Sequence, residues 1–348
     1  MPTRLHTVGA CLALLAGTAL AAPNATPGAT PDSTLDAAPH AAVVDATPQW
    51  ITLGTGGGPL IRRDRSEPAN ALVIGRDVYL FDVGSGVERQ MVGAHIPMAR
   101  VRAIFISHHH IDHNADLGQV MASRWMFNQY TPMPVIGPPG TEAMVDHLSE
   151  AMRAVELAPI GAGAGGKKPI RQTVAPKDLA LNMDTPTEIY KDGNIRVLAI
   201  TNTHYHFAPG SKEAQTARSY AFRVETKDRT FVYTGDTGPS RHVEQLAQGA
   251  DVLISEVIDI PAIRAELLKA PPSILPRDQL PEMIKHMEED HLTPVEIGKL
   301  AAAAKVKSVV LTHLAPGSDG ETDLSGYTNG IAPTYGGPVT VAKDLQRF

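Results

Sequence analysis

Residues 107–113 read SHHHIDH, so that His108, His110, Asp112 and His113 fall within one short stretch. Imidazole nitrogen and carboxylate oxygen are ligands that suit zinc, and iron or manganese at some loss of affinity. A sharp turn of the chain would let His108 and His110 face one cation while Asp112 and His113 face a second. Without a cation, histidine and aspartate side chains crowded together after a buried strand would desolvate and repel one another. His204, Asp236 and His313 extend the set, because each closes a strand-like run: VLAITNT, FVYTG and VVLT, as IFIS does before His108. Loops at strand ends are where layered folds carry groups that must be held closely, whereas a core histidine satisfied by hydrogen bonds needs no such company.

Those strand ends require a scaffold, and the flanking sequence supplies one. WITLGT, NALVI and VYLFDVG are β-branched and aromatic runs separated by turns, the last two flanking Gly75 to Asp77 as a hairpin. VRAIFIS is nearly unbroken in its apolar character, the pattern of a strand covered on both faces. LGQVMASRWMFNQ predicts a helix within 116–129, PVIGPPG a strand ending in a turn, and 141–158 a helix followed by a flexible loop, Gly161 to Lys168. In the second half NIRVLAI, SYAFRVET, RTFVYTGDT and DVLISEV read as strands, the middle pair a hairpin closed around Lys227 and Asp228. A helical, Pro-interrupted stretch at 261–290 comes next. Thr293, Pro294 and Glu296 then supply an N-cap, an N1 proline and a capping-box acid ahead of VEIGKLAAAAKV, and that helix feeds the strand VKSVVLT. Strands alternating with helices, with hairpins interspersed, predict an α/β sandwich rather than a purely parallel sheet.

Residues 1–22 have the layout of a secretory signal peptide: Arg4, the apolar ACLALLAGTAL, then small residues at Ala19 and Ala21 before Pro23, with cleavage near Ala21 or Ala22. The apolar run is too short for a membrane span, so no stable span is expected after processing, a retained anchor being the alternative. Residues 23–48 are an Ala- and Pro-rich flexible leader, which leaves 49–348 as one large domain with its own core. The expected location is periplasmic or secreted. Cys11, the single cysteine, lies in the signal peptide, so the mature chain has no disulfide, thiolate ligand or cysteine nucleophile. Without Arg4 the mature protein carries 30 Lys and Arg against 37 Asp and Glu, a formal charge of −7. That balance does not favour a polyanion as obligate partner, a local basic patch being the alternative left open.

LGTGGGP, YLFDVGSG, the H-x-H-x-D-H pattern at 108–113, SYAFRVET, YTGDTG, DVLISEV and HLTPVEIGKLAAAAKVKSVVLTHL stand in the order of a known family. On these motifs the chain resembles the metallo-β-lactamase-fold hydrolases, specifically their ribonuclease Z-like and arylsulfatase-like branch, over nearly all of 49–348. The resemblance implies a four-layer αββα sandwich with a metal site at the edge between its two sheets. It implies two divalent ions, zinc first, with manganese or iron as alternatives. Carried over residue by residue, it places His108, His110 and His204 on the first metal, Asp112, His113 and His313 on the second, and Asp236 between them. His206 follows the same strand as His204, and spacing alone does not separate the two; His109 is read as a spacer. Asp82, in LFDVG, resembles the acidic residue that orients a ligand histidine and fixes its tautomer, with a tight turn before Gly84 as the plainer role. His291 resembles the H-x-T histidine near the leaving group, where it would stabilise charge or protonate a departing alkoxide. Its plainer reading is an exposed histidine beside the acidic run Glu288 to Asp290. Glu256, in ISEV, would hydrogen-bond this region or serve structure alone.

The expected activity is that of an exported dinuclear metal-dependent hydrolase cleaving a phosphodiester or similar small ester. Asp112, Asp236 and His291 would be its catalytic groups, with water activated between ions about 3.5–4 Å apart. Arylsulfatase, lactonase or β-lactamase activity is the runner-up, and a non-catalytic metal-containing binding protein is the reading from outside enzymology. No G-x-S-x-G element is present. Nor is there a GxxxxGK[ST], so the glycines of LGTGGGP are expected to let a loop pass beside the site. The expected partner is a small-molecule ester and not transfer RNA. Ser219 to Asp236 leaves room only for a hairpin where ribonuclease Z carries its tRNA-gripping arm, and export and net acidity point the same way. Segments 141–168 and 257–290 are expected to roof the pocket, their apolar residues being equally compatible with a homodimer interface.

Overall fold

A computed structural model describes residues 46–158 and 167–348, all within the unit Val44–Phe348, and the apolar runs become the strands of two sheets. The expected signal peptide, nearly all of the expected leader and most of the loop Gly161 to Lys168 lie outside the described residues. The first sheet takes β1 (Gln49–Gly54), β2 (Ala69–Ile74), β3 (Asp77–Val83), β4 (Val101–Phe105), β5 (Met133–Gly137) and β6 (Val174–Asp178) in chain order. The second takes β7 (Thr187–Lys191), β8 (Ile195–Thr201), β9 (Tyr220–Thr226), β10 (Thr230–Tyr233), β11 (Val252–Ile258), β12 (Ser308–Ala315) and β13 (Val339–Val341). The short β14 (Gln346–Arg347) returns to pair antiparallel with β1. Both sheets are mixed: β1–β3 and β7–β10 run antiparallel, while β3–β6 and β10–β13 run parallel.

Period-two alternation inside the buried runs sorts side chains into layers. In β3, Val78 and Leu80 join a cluster with Leu117, Val120, Met121 and Val145 from the helices Leu117–Met126 and Thr141–Ala151, while Tyr79 and Phe81 join the layer between the sheets. That middle layer is aromatic. Phe81 lies 4.9 Å from both Trp50 and Phe105, and Phe222, Phe231 and Tyr233 meet it from the second sheet. Each such fully buried side chain contributes about 1.5–3 kcal/mol relative to exposure. On the far side, Leu253, Val309 and Leu311 pack with Ile297 and Ala301 of the helix Pro294–Ala304. The result is the expected αββα sandwich.

The capping box forms as read, Thr293 N donating to Glu296 Oε2 at 2.9 Å. The helix expected over 141–158 is broken at Met152, whose ψ of 4° leaves the helical range before Arg153–Leu157 resumes. The stretch 261–290 resolves into the helices Ile260–Lys269 and Leu280–Glu289. Among the described residues no helix is long and apolar enough to cross a membrane.

At one edge the sheets are stitched together. Tyr220 N donates to Ser107 O at 3.0 Å, Leu314 N to Thr55 O at 2.8 Å, and Gly57 N to Leu314 O at 2.9 Å. The C-terminal ends of β3, β4, β8, β10 and β12 meet there.

Candidate metal centre

Two β-bulges aim side chains into this edge. Along β2–β3 the register passes from Ala69↔Val83 to Asn70↔Phe81, leaving Asp82 unopposed at φ 61°. Along β11–β12 it passes from Ser255↔Leu311 to Val257↔Leu314, so Thr312 and His313 together face Glu256, with His313 at φ 45°. Positive φ is costly for a residue with a side chain and persists where surrounding structure over-determines it. Each bulge turns a residue that simple alternation would assign elsewhere.

Asp82 is fully buried and accepts from Ser107 N at 2.7 Å, Ser107 Oγ at 2.8 Å, Tyr233 OH at 2.7 Å and His113 Nδ1 at 2.8 Å. A carboxylate that accepts a hydrogen bond from Nδ1–H keeps that proton in place, so a neutral His113 offers its Nε2 lone pair on the other side. The backbone after β4 runs extended through His110 and then closes the short helix Ile111–Asn114, which carries Asp112 and His113. His113 Nε2 lies 3.4 Å from Asp112 Oδ2 and 3.3 Å from Asp236 Oδ2; His313 Nε2 lies 3.5 and 3.0 Å from the same atoms.

Beside that group, ring nitrogens of His108, His110 and His204 all lie within 4.8 Å of one another. His204 Nδ1 stands 2.9 Å from Asp290 O; a carbonyl only accepts, so the proton sits on Nδ1 and Nε2 faces His110 Nδ1 at 3.1 Å. Asp236 lies between the two groups, its Oδ2 3.9 Å from His108 Nε2, and it also falls within ligand range of His204 and His291. Asn202 holds the Asp236 loop from below, donating to Thr234 O and Asp236 O at 3.0 and 2.9 Å.

The electrostatics of the two groups differ. Burial lowers His108 and His204 well below the ordinary imidazole range and takes His110 down to about 4. Burial also acts against charge on His313, yet Asp236 and Asp112 outweigh it and push the imidazolium up to about 10. His113 is raised well above its ordinary value for the same reason: burial opposes its charge, and Asp236, Asp112 and Asp82 prevail. Burial raises Asp112 and Asp236, but His113 and His313 more than offset it and leave both carboxyls well below the usual range. This edge therefore demands positive charge. His108 Nε2, His113 Nε2, Asp236 Oδ1 and both ring nitrogens of His313 are buried without a hydrogen-bond partner among the described residues. Each unpaired buried polar atom costs about 1–3 kcal/mol, and divalent cations at the centre of the cluster would satisfy His108 Nε2, His113 Nε2, Asp236 and the Nε2 of His313, whose Nδ1 lies on the side of Gly57. The donor set fits such ions.

His291 is 5% exposed rather than solvated, and its Nδ1 stands 2.6 Å from Glu256 Oε2. Glu256 is buried too and accepts from Thr237 N through its other oxygen. Burial lowers the His291 pKa, and the Glu256 charge more than offsets this, leaving it raised. His206 points away: its side chain is 53% exposed and pairs with Asp290. His109 turns toward Asn114 and Thr141, at 3.3 and 3.4 Å. A cavity of about 270 Å³ opens over Asp112, Asp236, His291 and His313, with Pro59, Ile111, Met283 and Met287 along its sides. The loop of LGTGGGP passes beside it so closely that a Cβ on Gly58 would lie 2.2 Å from Asp112 Oδ2. Sequence reasoning overlooks four residues of this neighbourhood. Ser107 and Tyr233 carry no signal beyond their types, while Asp290 and His286, whose Nδ1 is 2.5 Å from Asp290 Oδ2, sit within or near an acidic run.

The model of the Beta-lactamase superfamily domain matches residues 79–314. Ribonuclease Z of Mycobacterium marinum is 28% identical over 302 residues, covering 85% of this chain and 97% of that protein. Among solved structures, the metallo-beta-lactamase fold protein YhfI of Bacillus subtilis superposes with a TM-score of 0.58 at 19% identity, covering 86% of this chain and 98% of that one. The short form of human tRNase Z gives 0.56 at 21% identity, with the same coverages of 86% and 98%. These findings overturn the expectation that transfer RNA is excluded as a partner. Residues 220–233 do form only a hairpin, as expected, but that alone does not exclude transfer RNA when a protein named ribonuclease Z matches over 97% of its length. The case from net acidity fails because a polyanion responds to the local field, not to charge summed over a whole surface.

Proposed function

Because this chain belongs to the β-lactamase superfamily, on its ribonuclease Z-like branch, we propose that it is a phosphodiesterase working with two divalent ions, zinc first. The observation that carries the reading is the buried cluster of unpaired histidine and aspartate atoms, divided into two groups with Asp236 between them. In this reading His108, His110 and His204 hold one ion, Asp112, His113 and His313 the other, and Asp236 is shared. When bound, such a pair supplies Lewis-acid polarisation of the ester and lowers the pKa of water.

The chain's own residues do the rest. Asp82 and the Asp290 carbonyl hold the Nδ1 protons of His113 and His204, so each ring, once neutral, presents its Nε2 lone pair without turning. Asp112 and Asp236 border the cavity, where they would accept hydrogen bonds from an attacking water. Glu256 holds His291 by Nδ1, which turns Nε2 toward the same cavity as the proton donor to the departing oxygen. Pro59, Met283 and Met287 keep that space apolar at its sides, which strengthens each interaction inside it. Relatives of this chain are named as ribonucleases, so RNA, transfer RNA included, belongs among the phosphodiesters to be tried.

The test uses zinc-loaded protein with bis(p-nitrophenyl) phosphate and with a transfer RNA carrying a 3′ extension. The reading expects cleavage of at least one, lost in His110→Ala and Asp236→Ala variants whose circular dichroism is unchanged. Hydrolysis confined to aryl sulfates or lactones, or activity retained by both variants, would contradict it.

A further inference from the structure

The metal centre accounts for His204 but not for the aromatic residues that follow it. Tyr205 and Phe207 stack on each other with ring centroids 4.8 Å apart and an interplanar angle of 26°. Tyr205 is the inner member, 5.0 Å from the His204 ring and 5.3 Å, edge to face, from His110. Phe207 is the outer member and is 36% exposed. Neither belongs to a core cluster. A lone exposed phenylalanine is unremarkable, but this one extends a stack that starts at the metal-facing histidines.

The stack walls a cleft of about 250 Å³ whose opposite side is the helix Leu280–Glu289, through Glu282, Lys285 and His286. This cleft and the cavity over the metal centre share His110 and His286, so they adjoin. The charges in it are informative. Glu282 and Glu289 lie on the same helix as Lys285, with Glu289 4.0 Å from that ammonium, while Asp290 is paired with His206 and His286. Such a lining repels a phosphate, while its carboxylates, ammonium and imidazole can address the donors and acceptors of a neutral heterocycle. An acyl chain finds too many charges here.

We propose that Tyr205 and Phe207 form a stacking platform for the nucleobase of a nucleoside phosphodiester whose phosphate sits at the metal centre. This rests on the phosphodiesterase reading and names its substrate class. Aromatic platforms tolerate every base because each has a π face. The platform therefore selects nucleotides over simple phosphodiesters and leaves sequence preference weak.

The experiment compares kcat/KM of the zinc-loaded protein for thymidine 5′-p-nitrophenyl phosphate and methyl p-nitrophenyl phosphate, esters with a common leaving group. In Phe207→Ala the ratio of nucleoside ester to methyl ester falls by about 5- to 100-fold, the range for loss of one base stack. Phe207→Trp keeps the ratio near that of the parent. An unchanged ratio in Phe207→Ala would overturn the proposal. If the parent protein hydrolyses neither ester, the phosphodiesterase reading is what has failed, and the platform is read separately by saturation-transfer NMR with thymidine 5′-monophosphate. Base-proton signals present for the parent and Phe207→Trp but lost in Phe207→Ala would sustain it. Absent signals, or equal signals in all three proteins, would refute it.

Discussion

Asp82→Asn isolates the electrical part of the support beneath the metal centre. Asparagine has nearly the same shape and tolerates the left-handed backbone that Asp82 adopts at φ 61°, so the substitution adds little strain. It keeps an acceptor for Ser107 N, which lies 2.7 Å from Asp82 Oδ1. At the Oδ2 position it places an amide NH₂ against Ser107 Oγ, His113 Nδ1 and Tyr233 OH, all of which now lie within 2.8 Å. The two hydroxyls can rotate to accept, but His113 must give up its Nδ1 proton, which leaves the remaining one on Nε2, the atom aimed at Asp112 and Asp236. Losing one or two hydrogen bonds to a buried charge, at about 1.5–3 kcal/mol each, destabilises the metal-free protein by about 1.5–6 kcal/mol. Binding at that half of the site weakens by about 10- to 100-fold, the usual effect of removing a carboxylate behind a ligand histidine. Urea unfolding of the metal-free protein measures the first effect, and zinc titration against a chelating dye the second. A variant that unfolds with the parent and binds zinc with the parent's affinity would refute the argument that Asp82 sets the His113 tautomer.

Two further outcomes follow from the same geometry. Gly58→Ala drives a methyl group to within 2.2 Å of Asp112 Oδ2, so the loop or the carboxylate must shift; about 100-fold of turnover should be lost with the melting temperature nearly kept. Gly193→Ala, which meets nothing within 4 Å, is the control, and equal activity in the two variants would contradict the close approach. Loading the metal-free protein at pH 8 should release protons. A free imidazole is already neutral there, but His313, held up at about 10 against burial by Asp236 and Asp112, still carries one, as does the raised His113. Calorimetry in buffers of different ionisation enthalpy should show on the order of two protons released per chain. The His313 share should vanish as pH rises past about 10, and heats independent of buffer would refute the assignment.

Much of the scaffold is legible in the chain because a strand buried on both faces is written as a local apolar run. VRAIFIS and VYLFDVG announce β4 and β3, and a contiguous SHHHIDH needs no tertiary knowledge to be noticed. Pairing is different, since nothing in QWITLG reveals that it accepts Gln346–Arg347 as an edge partner. The bulges are equally invisible: period-two alternation has no term for the residue left over at Asp82 or His313, which depends on the neighbouring strand. Spacing leaves His204 and His206 equivalent, and the choice is made by Asp290, whose carbonyl takes His204 and whose carboxylate takes His206. In sequence, Asp290 is only the end of an acidic run. Ser107 and Tyr233 matter through a single shared partner, Asp82, and that partnership exists only once the sheets are stacked. The part of the exclusion of transfer RNA that rested on net acidity failed for the reason opposite to these, a global quantity answering a local question.

The central claim is that the cluster around Asp236 holds two metal ions. Anomalous diffraction from crystals of the zinc-loaded protein, collected on both sides of the zinc edge, addresses it most directly. Two peaks about 3.5–4 Å apart are predicted, one among His108, His110 and His204, the other among Asp112, His113 and His313, with Asp236 reaching both. A single peak, or peaks outside this cluster, would contradict the account.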